Sequence, residues 1–166
     1  DLFSHSANLR MSHKFGGWLS VSPGLNYDEK WITEYEKPTI TDGIIRRDST
    51  GQILTTTEMA MKRRGTYNLN LGASTKLYGI FPFRIGRFQA MRHVLSPSLS
   101  FRYVPDFSKN TNYVLQGVDS SGQKITYDYF SGTMAGGTPS RESQRLGWSV
   151  GNQFSVKIRT GEDKDQ

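Results

Sequence analysis

The sequence contains no cysteine. It therefore has no disulfide framework, no thiolate metal site and no cysteine nucleophile. No stretch approaches the ~20 consecutive apolar residues of a membrane helix, and the mean hydropathy is negative, -0.57. A helical membrane protein is excluded. A transmembrane β-barrel is not, because barrel strands are half polar and average out as hydrophilic. A basic stripe is also missing. The formal charge is +6, yet Lys and Arg are dispersed among Ser, Thr, Tyr and Asp. Without a concentrated basic footprint, no nucleic-acid partner is expected. The chain opens on neither an initiator Met nor a signal peptide. Asp1-Leu2-Phe3-Ser4-His5 begins in mid-pattern, and Gly161 to Gln166 reads as a polar turn before another strand. An internal fragment of a longer chain is expected.

What the sequence has in abundance is alternation. From Leu95, the large apolar residues Leu95, Pro97, Leu99, Phe101 and Tyr103 are separated by Ser96, Ser98, Ser100 and Arg102. Successive side chains of a strand point to opposite faces, so this segment has one apolar and one polar face. The pattern recurs. Phe3 to Ser12 carries Phe3, Ala7, Leu9 and Met11 on one face. From Trp18 onward, Leu19, Val21, Pro23, Leu25 and Tyr27 alternate with Ser20, Ser22, Gly24 and Asn26, continuing in more polar form through Trp31 and Tyr35. A third strand, starting near Ile53, is clearest from Tyr67 to Leu77. The last sets Leu146, Trp148, Val150, Phe154, Val156 and Ile158 against Gly147, Ser149, Gly151, Gln153, Ser155 and Lys157, and Asn152 alone breaks its apolar row.

The connections alternate short, long, short, long. His13 to Gly17 and the aromatic stretch Tyr78 to Phe83 read as short turns. About 37–52 and about 105–143 read as long loops, the second carrying a small hairpin of Tyr113–Val118 with Gln123–Tyr129. In a meander this places short turns on one side and long loops on the other, the asymmetry of outer-membrane barrels. Aromatics gather at both ends of the strands, with Trp18, Tyr78, Phe81, Phe83 and Phe88 at one and Tyr27, Trp31, Tyr67 and Tyr103 at the other. Lipid-interface girdles have this form. The expected fold is all-β: an antiparallel up-and-down meander of about five long strands, part of one transmembrane β-barrel domain and open as a fragment. A soluble extracellular β-domain that binds glycans through its aromatics remains a rival, as does the wall of a porin or secretion barrel.

Arg92-His93-Val94-Leu95-Ser96-Pro97 through Tyr103, preceded by Lys76-Leu77-Tyr78-Gly79-Ile80-Phe81-Pro82-Phe83, resembles the barrel of the LPS-assembly protein LptD. The likeness is greatest to the divergent versions of Bacteroidetes- and Chlorobi-type bacteria. Phe15 to Tyr27 is similar to the family's preceding strand. Arg92, His93 and Pro97 carry the signature. The resemblance implies a non-enzymatic translocon in the outer membrane of a Gram-negative bacterium, inserting lipopolysaccharide into the outer leaflet. It also implies contact with outer-membrane lipid, an LptE-like plug lipoprotein and an LptA-like periplasmic bridge. No cofactor is implied. Neither the family's periplasmic jellyroll domain nor enough strands to close its barrel are found in this chain.

Under that resemblance several residues become candidates. Lys62, Arg63 and Arg64 lie just beyond Tyr67 and could pair with lipopolysaccharide phosphates, or could form only a solvated rim. Arg10, Lys76, Arg102 and Lys157 share the polar face and would face a lumen, acting on anionic cargo or simply hydrating it. His93 has no Ser or acid at a catalytic spacing, so it is expected to anchor the interface or bond a neighbouring strand. His5 and His13 lie too far apart along a strand to share a metal ion. No catalytic, cofactor or metal residue is expected. Pro23 and Pro97 lack a ladder donor and mark register-setting kinks.

Overall fold

The computed structural model describes residues 1–159, with Phe83 and Arg84 described through their backbone alone. The Gly161 to Gln166 turn read above lies outside those residues. The chain divides into two compact units. Residues 10–24, 70–102 and those from 145 on form one, termed here the sheet unit. Residues 1–9, 25–69 and 103–144 form the other, the loop unit.

The principal sheet is built from β1 (Leu2–Arg10), β2 (His13–Phe15), β3 (Leu19–Ile32), β8 (Lys62–Thr75), β9 (Leu77–Ile85), β10 (Phe88–Val104) and β13 (Ser143–Ile158). Its order is β1-β3-β8-β10-β13, so consecutive long strands are spatial neighbours, as in an antiparallel meander. Among the described residues it is open, with β1 and β13 at its edges. The five long strands are those that the alternating pattern predicts.

Three boundaries differ from the sequence expectation. Tyr78 to Phe83 is not a turn but lies within β9, which pairs with β10 from Leu77↔Leu95 to Ile85↔Phe88. The reversal comes later, at Gly86 and Arg87. Gly79 and Pro82 suggest a turn locally, yet both suit a strand here. The Phe81 ring lies over Gly79, where an added Cβ would come within 3.1 Å of it. Pro82 pairs with Ala90 beside a bulge in β10, where a missing donor is tolerated. The first turn is also narrower, since His13–Phe15 pairs with Leu19, Ser20 and Val21. Gly16 takes φ +57 there, with the Trp18 indole only 2.9 Å from where its Cβ would stand, so both backbone and ring require glycine. Finally, no long strand starts near Ile53. Ile53 makes an isolated bridge with Arg47, and β8 begins at Lys62.

The long connections, between Ile32 and Lys62 and between Val104 and Ser143, are themselves folded. Within the first, β4 (Tyr35–Pro38) pairs with β7 (Thr55–Glu58), and β5 (Ile40–Thr41) with β6 (Ile44–Ile45). Within the second, β11 (Val114–Asp119) and β12 (Lys124–Asp128) form the hairpin predicted there. The two connections join through a parallel pairing, Ile44↔Val118 and Ile45↔Asp119. A core of Ile32, Tyr35, Tyr129, Phe130 and Ala135 lies beneath, with Phe130 at 0% exposure. Ile45, Val114 and Ile125 are also buried. Burying side chains of this size stabilises by ~1.5–3 kcal/mol each.

Candidate functional site

Within the sheet unit, the polar rows carry small residues. Ser98 and Ser149 hydroxyls meet at 2.7 Å, and Ser22 donates to Ser12 at 3.3 Å. Gly147 leaves room for Ser100, whose hydroxyl would stand 2.8 Å from a Cβ placed there. Short side chains let neighbouring strands curl toward that face. A groove of about 460 Å³ results, lined by Arg10, Ser22, Gly24, Asn70, Gly72, Ser100, Arg102 and Arg145 with the intervening Leu71 and Phe101. Every long strand contributes, including both edge strands, so the polar face is concave.

Of the residues read as lumen-facing, the structure brings Arg10 and Arg102 together in this groove. It adds Arg145, which sequence reasoning missed although it occupies the same row as Gly147 and Ser149. Lys157 lies elsewhere, in a hollow of about 670 Å³ with Arg159, Gly86 and Phe88. Lys76 is exposed at the one-residue break between β8 and β9. In the loop unit the polar rows carry an amide ladder: Asn8 donates to Asn26, and Asn26 to Asn68 at 2.8 Å.

The opposite face is apolar and open. Leu146, Trp148, Val150, Phe154, Val156 and Ile158 of β13 are all exposed, Trp148 to 78%. Asn152, the interruption in that row, bonds the His93 ring at 3.0 Å, and Phe154 stacks on the same ring at 4.2 Å. Two polar side chains on an apolar face thus satisfy each other across β10 and β13. His93 bonds the neighbouring strand, opposite Gly79 in the register with β9. It lies inside β10, five residues from the strand's start at Phe88. Arg92 is exposed in the polar row, opposite Ile80. Pro97 lines a shallow apolar hollow of about 310 Å³ with Leu19, Ala73, Leu99, Trp148 and Val150.

The run Lys62, Arg63 and Arg64 is divided by strand alternation. Arg64 is buried, donating to the carbonyls of Gly136 at 2.7 Å and Ala135 at 3.0 Å and to the Thr138 hydroxyl at 3.1 Å. Lys30 donates to the same Ala135 carbonyl at 2.7 Å. Lys62 lies between the Tyr35 and Tyr129 rings, 4.6 and 3.8 Å from their centroids. Both cations therefore hold the loop unit together. Arg63 points the other way and remains largely exposed, 3.5 Å from Glu29 and over the Trp31 ring at 5.7 Å.

Asp119 is enclosed in the loop unit. It accepts bonds from the Ser121 hydroxyl at 2.6 Å, the Ser121 and Gln123 amides at 2.9 and 3.0 Å, and Arg47 at 3.0 Å. These donors, Ser121 foremost, hold its carboxyl well below the usual carboxylate range despite the opposing effect of burial. Asp128 similarly receives the Phe130 amide and the Thr138 hydroxyl, pinning the loop that Arg64 caps.

No curated protein and no solved structure matches the chain. The family model described as LptD protein matches residues 2–166. With that match over nearly its whole length, the chain belongs to the LptD family, a family of outer-membrane proteins of lipopolysaccharide transport and assembly.

Proposed function

We propose that this chain forms wall and lumen of the outer-membrane translocon that inserts lipopolysaccharide into the outer leaflet. The observation that carries the reading is the sidedness of the sheet unit. Its concave face is polar, and its other face exposes the uncharged apolar row of β13 together with Leu71 of β8 and Leu99 of β10. Soluble proteins seldom leave apolar rows of that extent bare, whereas a barrel strand turns such a row to lipid and its alternate row to a wet interior. Sugars and phosphates of an amphipathic glycolipid travel along the polar face while the acyl chains stay in an apolar medium. This role needs no chemistry at the residues described. An LptE-like lipoprotein plugging the barrel and an LptA-like periplasmic bridge feeding it are the partners that family membership supports.

Arg63 is the candidate phosphate contact within the basic run. It shares its row with Tyr67, Leu69 and Leu71, beyond the apolar stretch, at the level of lipid headgroups. Lys62 and Arg64 support it indirectly by ordering the loops.

A cysteine scan of Leu146 to Lys157 in native membranes tests the reading. A water-soluble thiol reagent should label Gly147, Ser149, Gly151, Gln153 and Ser155 variants and spare their neighbours, and depletion of the protein should remove surface lipopolysaccharide. Labelling without the two-residue period, in a protein that fractionates with the soluble pool, would refute it.

A further inference from the structure

We propose that the groove on the concave face is an anion-binding site for a phosphorylated or carboxylated saccharide, held by Arg10, Arg102 and Arg145. This rests on the translocon reading and gives its polar face a specific station. Three guanidiniums line one groove and no carboxylate does. Among the described residues, no side-chain hydrogen bond or ion pair takes up any of these three guanidiniums. That contrasts with the loop unit, where Arg47, Arg63 and Arg64 all have partners. Like charges facing one cavity repel, and a bound dianion relieves the repulsion while accepting charge-assisted bonds.

The rest of the lining suits such a guest. The Ser22 and Ser100 hydroxyls, which donate to Ser12 at 3.3 Å and to the Gly147 carbonyl at 3.4 Å, line the groove as small polar groups, and Gly72 puts no side chain into its floor. A guanidinium presents a planar fork that matches two oxygens of a phosphate or carboxylate. The arginines come from β1, β10 and β13, which span the sheet from edge to edge. An anion held by all of them therefore also fixes the curvature of the face.

The test uses the protein as made in the cell, purified in detergent, with Ser100→Cys in a cysteine-free background bearing an environment-sensitive fluorophore. Three probes are titrated: bisphosphorylated lipid A, the same lipid A stripped of phosphate, and inorganic pyrophosphate. Bisphosphorylated lipid A should give a saturable response. Arg10→Gln, Arg102→Gln and Arg145→Gln should each weaken it roughly tenfold, while Lys124→Gln, an exposed charge in the loop unit, should not. A response confined to lipid A identifies the headgroup as the guest, and an equal response to pyrophosphate identifies free phosphate; either supports an anion site. Equal binding of stripped lipid A, or binding indifferent to the three Arg→Gln changes, overturns it. A separate arm compares thiol labelling of Ser100→Cys and Leu99→Cys in native membranes. Equal labelling there sinks the translocon wall itself, whereas alternate labelling with charge-indifferent binding sinks only the anion site.

Discussion

The loop unit and the sheet unit solve the same problem in opposite ways. Both are built from alternating β-strands, and all five long strands, β1, β3, β8, β10 and β13, supply residues to each. The loop unit hides its apolar side chains from water. Ile32, Ile45, Val114, Phe130 and Ala135 are buried, and its ions are caged by donors and carbonyls. In the sheet unit, Val94 is the only buried apolar residue among those described, while Trp148, Leu146 and Phe154 stand exposed on one face. A single sheet has nothing of its own to press its apolar face against. A segment needs a second layer to make a core in water, and the loop unit has one because the two long connections fold together. Among the described residues the sheet unit lacks one, so its apolar face depends on the surrounding medium.

The largest effects should come from truncating each kind of aromatic. Phe130→Ala empties a fully enclosed site and should destabilise the loop unit by about 3–5 kcal/mol. Phe154→Ala on the exposed row should cost about 1 kcal/mol, chiefly the lost ring stack on His93. Limited proteolysis with denaturant melts of the detergent-solubilised protein distinguishes them. Cleavage within 105–142 should precede any loss of the long strands in Phe130→Ala alone. If both regions melt together, the division into two stabilities fails.

A charge scan sharpens the contrast next. Val150→Arg on the apolar row should destabilise by about 2–4 kcal/mol in a bilayer, whereas Ser149→Arg, one residue away on the polar row, should be tolerated. Assembly yield in the outer membrane reads both, and equal penalties would mean that the two faces meet the same environment.

How much of this was legible follows from the range of each interaction. The five long strands and the sidedness of Leu146 to Ile158 are written in a two-residue period, so local reading suffices. So is the β11–β12 hairpin, whose turn Ser120-Ser121-Gly122 joins adjacent segments. The parallel pairing of Ile44 and Ile45 with Val118 and Asp119 is not, because its partners are some seventy positions apart and carry no shared period. The same limit applies to Arg64, which reads as one of three rim cations until Ala135, Gly136 and Thr138 are brought around it. Gly79 and Pro82 misled for the opposite reason, since local turn signals yielded to cross-strand pairing with β10. Asn152 was visible as a break in a row, but its partner His93 required the register of two strands.

That pair supplies the third prediction. Asn152→Leu leaves the His93 ring without its amide partner on an apolar face and should cost about 1–2 kcal/mol. His93→Leu should cost a similar amount, by leaving the amide alone. The double variant should return close to the parent, because removing both partners of a hydrogen bond spares the penalty of either left unmatched. Thermal unfolding in detergent or lipid measures the cycle. Additive losses would mean that each side chain acts separately and that the outward face is wet enough to solvate them.

The smallest effect is a difference in acid sensitivity. In the loop unit the Ser121 hydroxyl, with the Gln123 amide and Arg47, depresses Asp119, and Thr50 and Ser108 hold Asp48 and Asp106 low in the same manner. A carboxylate lowered in the folded state contributes fully above its unfolded value, near pH 3.9. The contribution then falls away as pH drops through the folded value, because the unfolded chain takes up the proton first. The Ser98–Ser149 and Ser22–Ser12 links of the sheet unit involve no group that titrates in this window. Acidification from pH 7 to about 4 should leave both units intact, and further acidification should loosen the loop unit first. Hydrogen exchange at the Ser121 and Gln123 amides follows this directly, since both donate to Asp119. In Asp119→Asn their protection should be lower at neutral pH and nearly flat below it. Unchanged protection in that variant would show that the turn is held by its backbone alone, and the acid lability of the loop unit would then have to reside at Asp48 and Asp106.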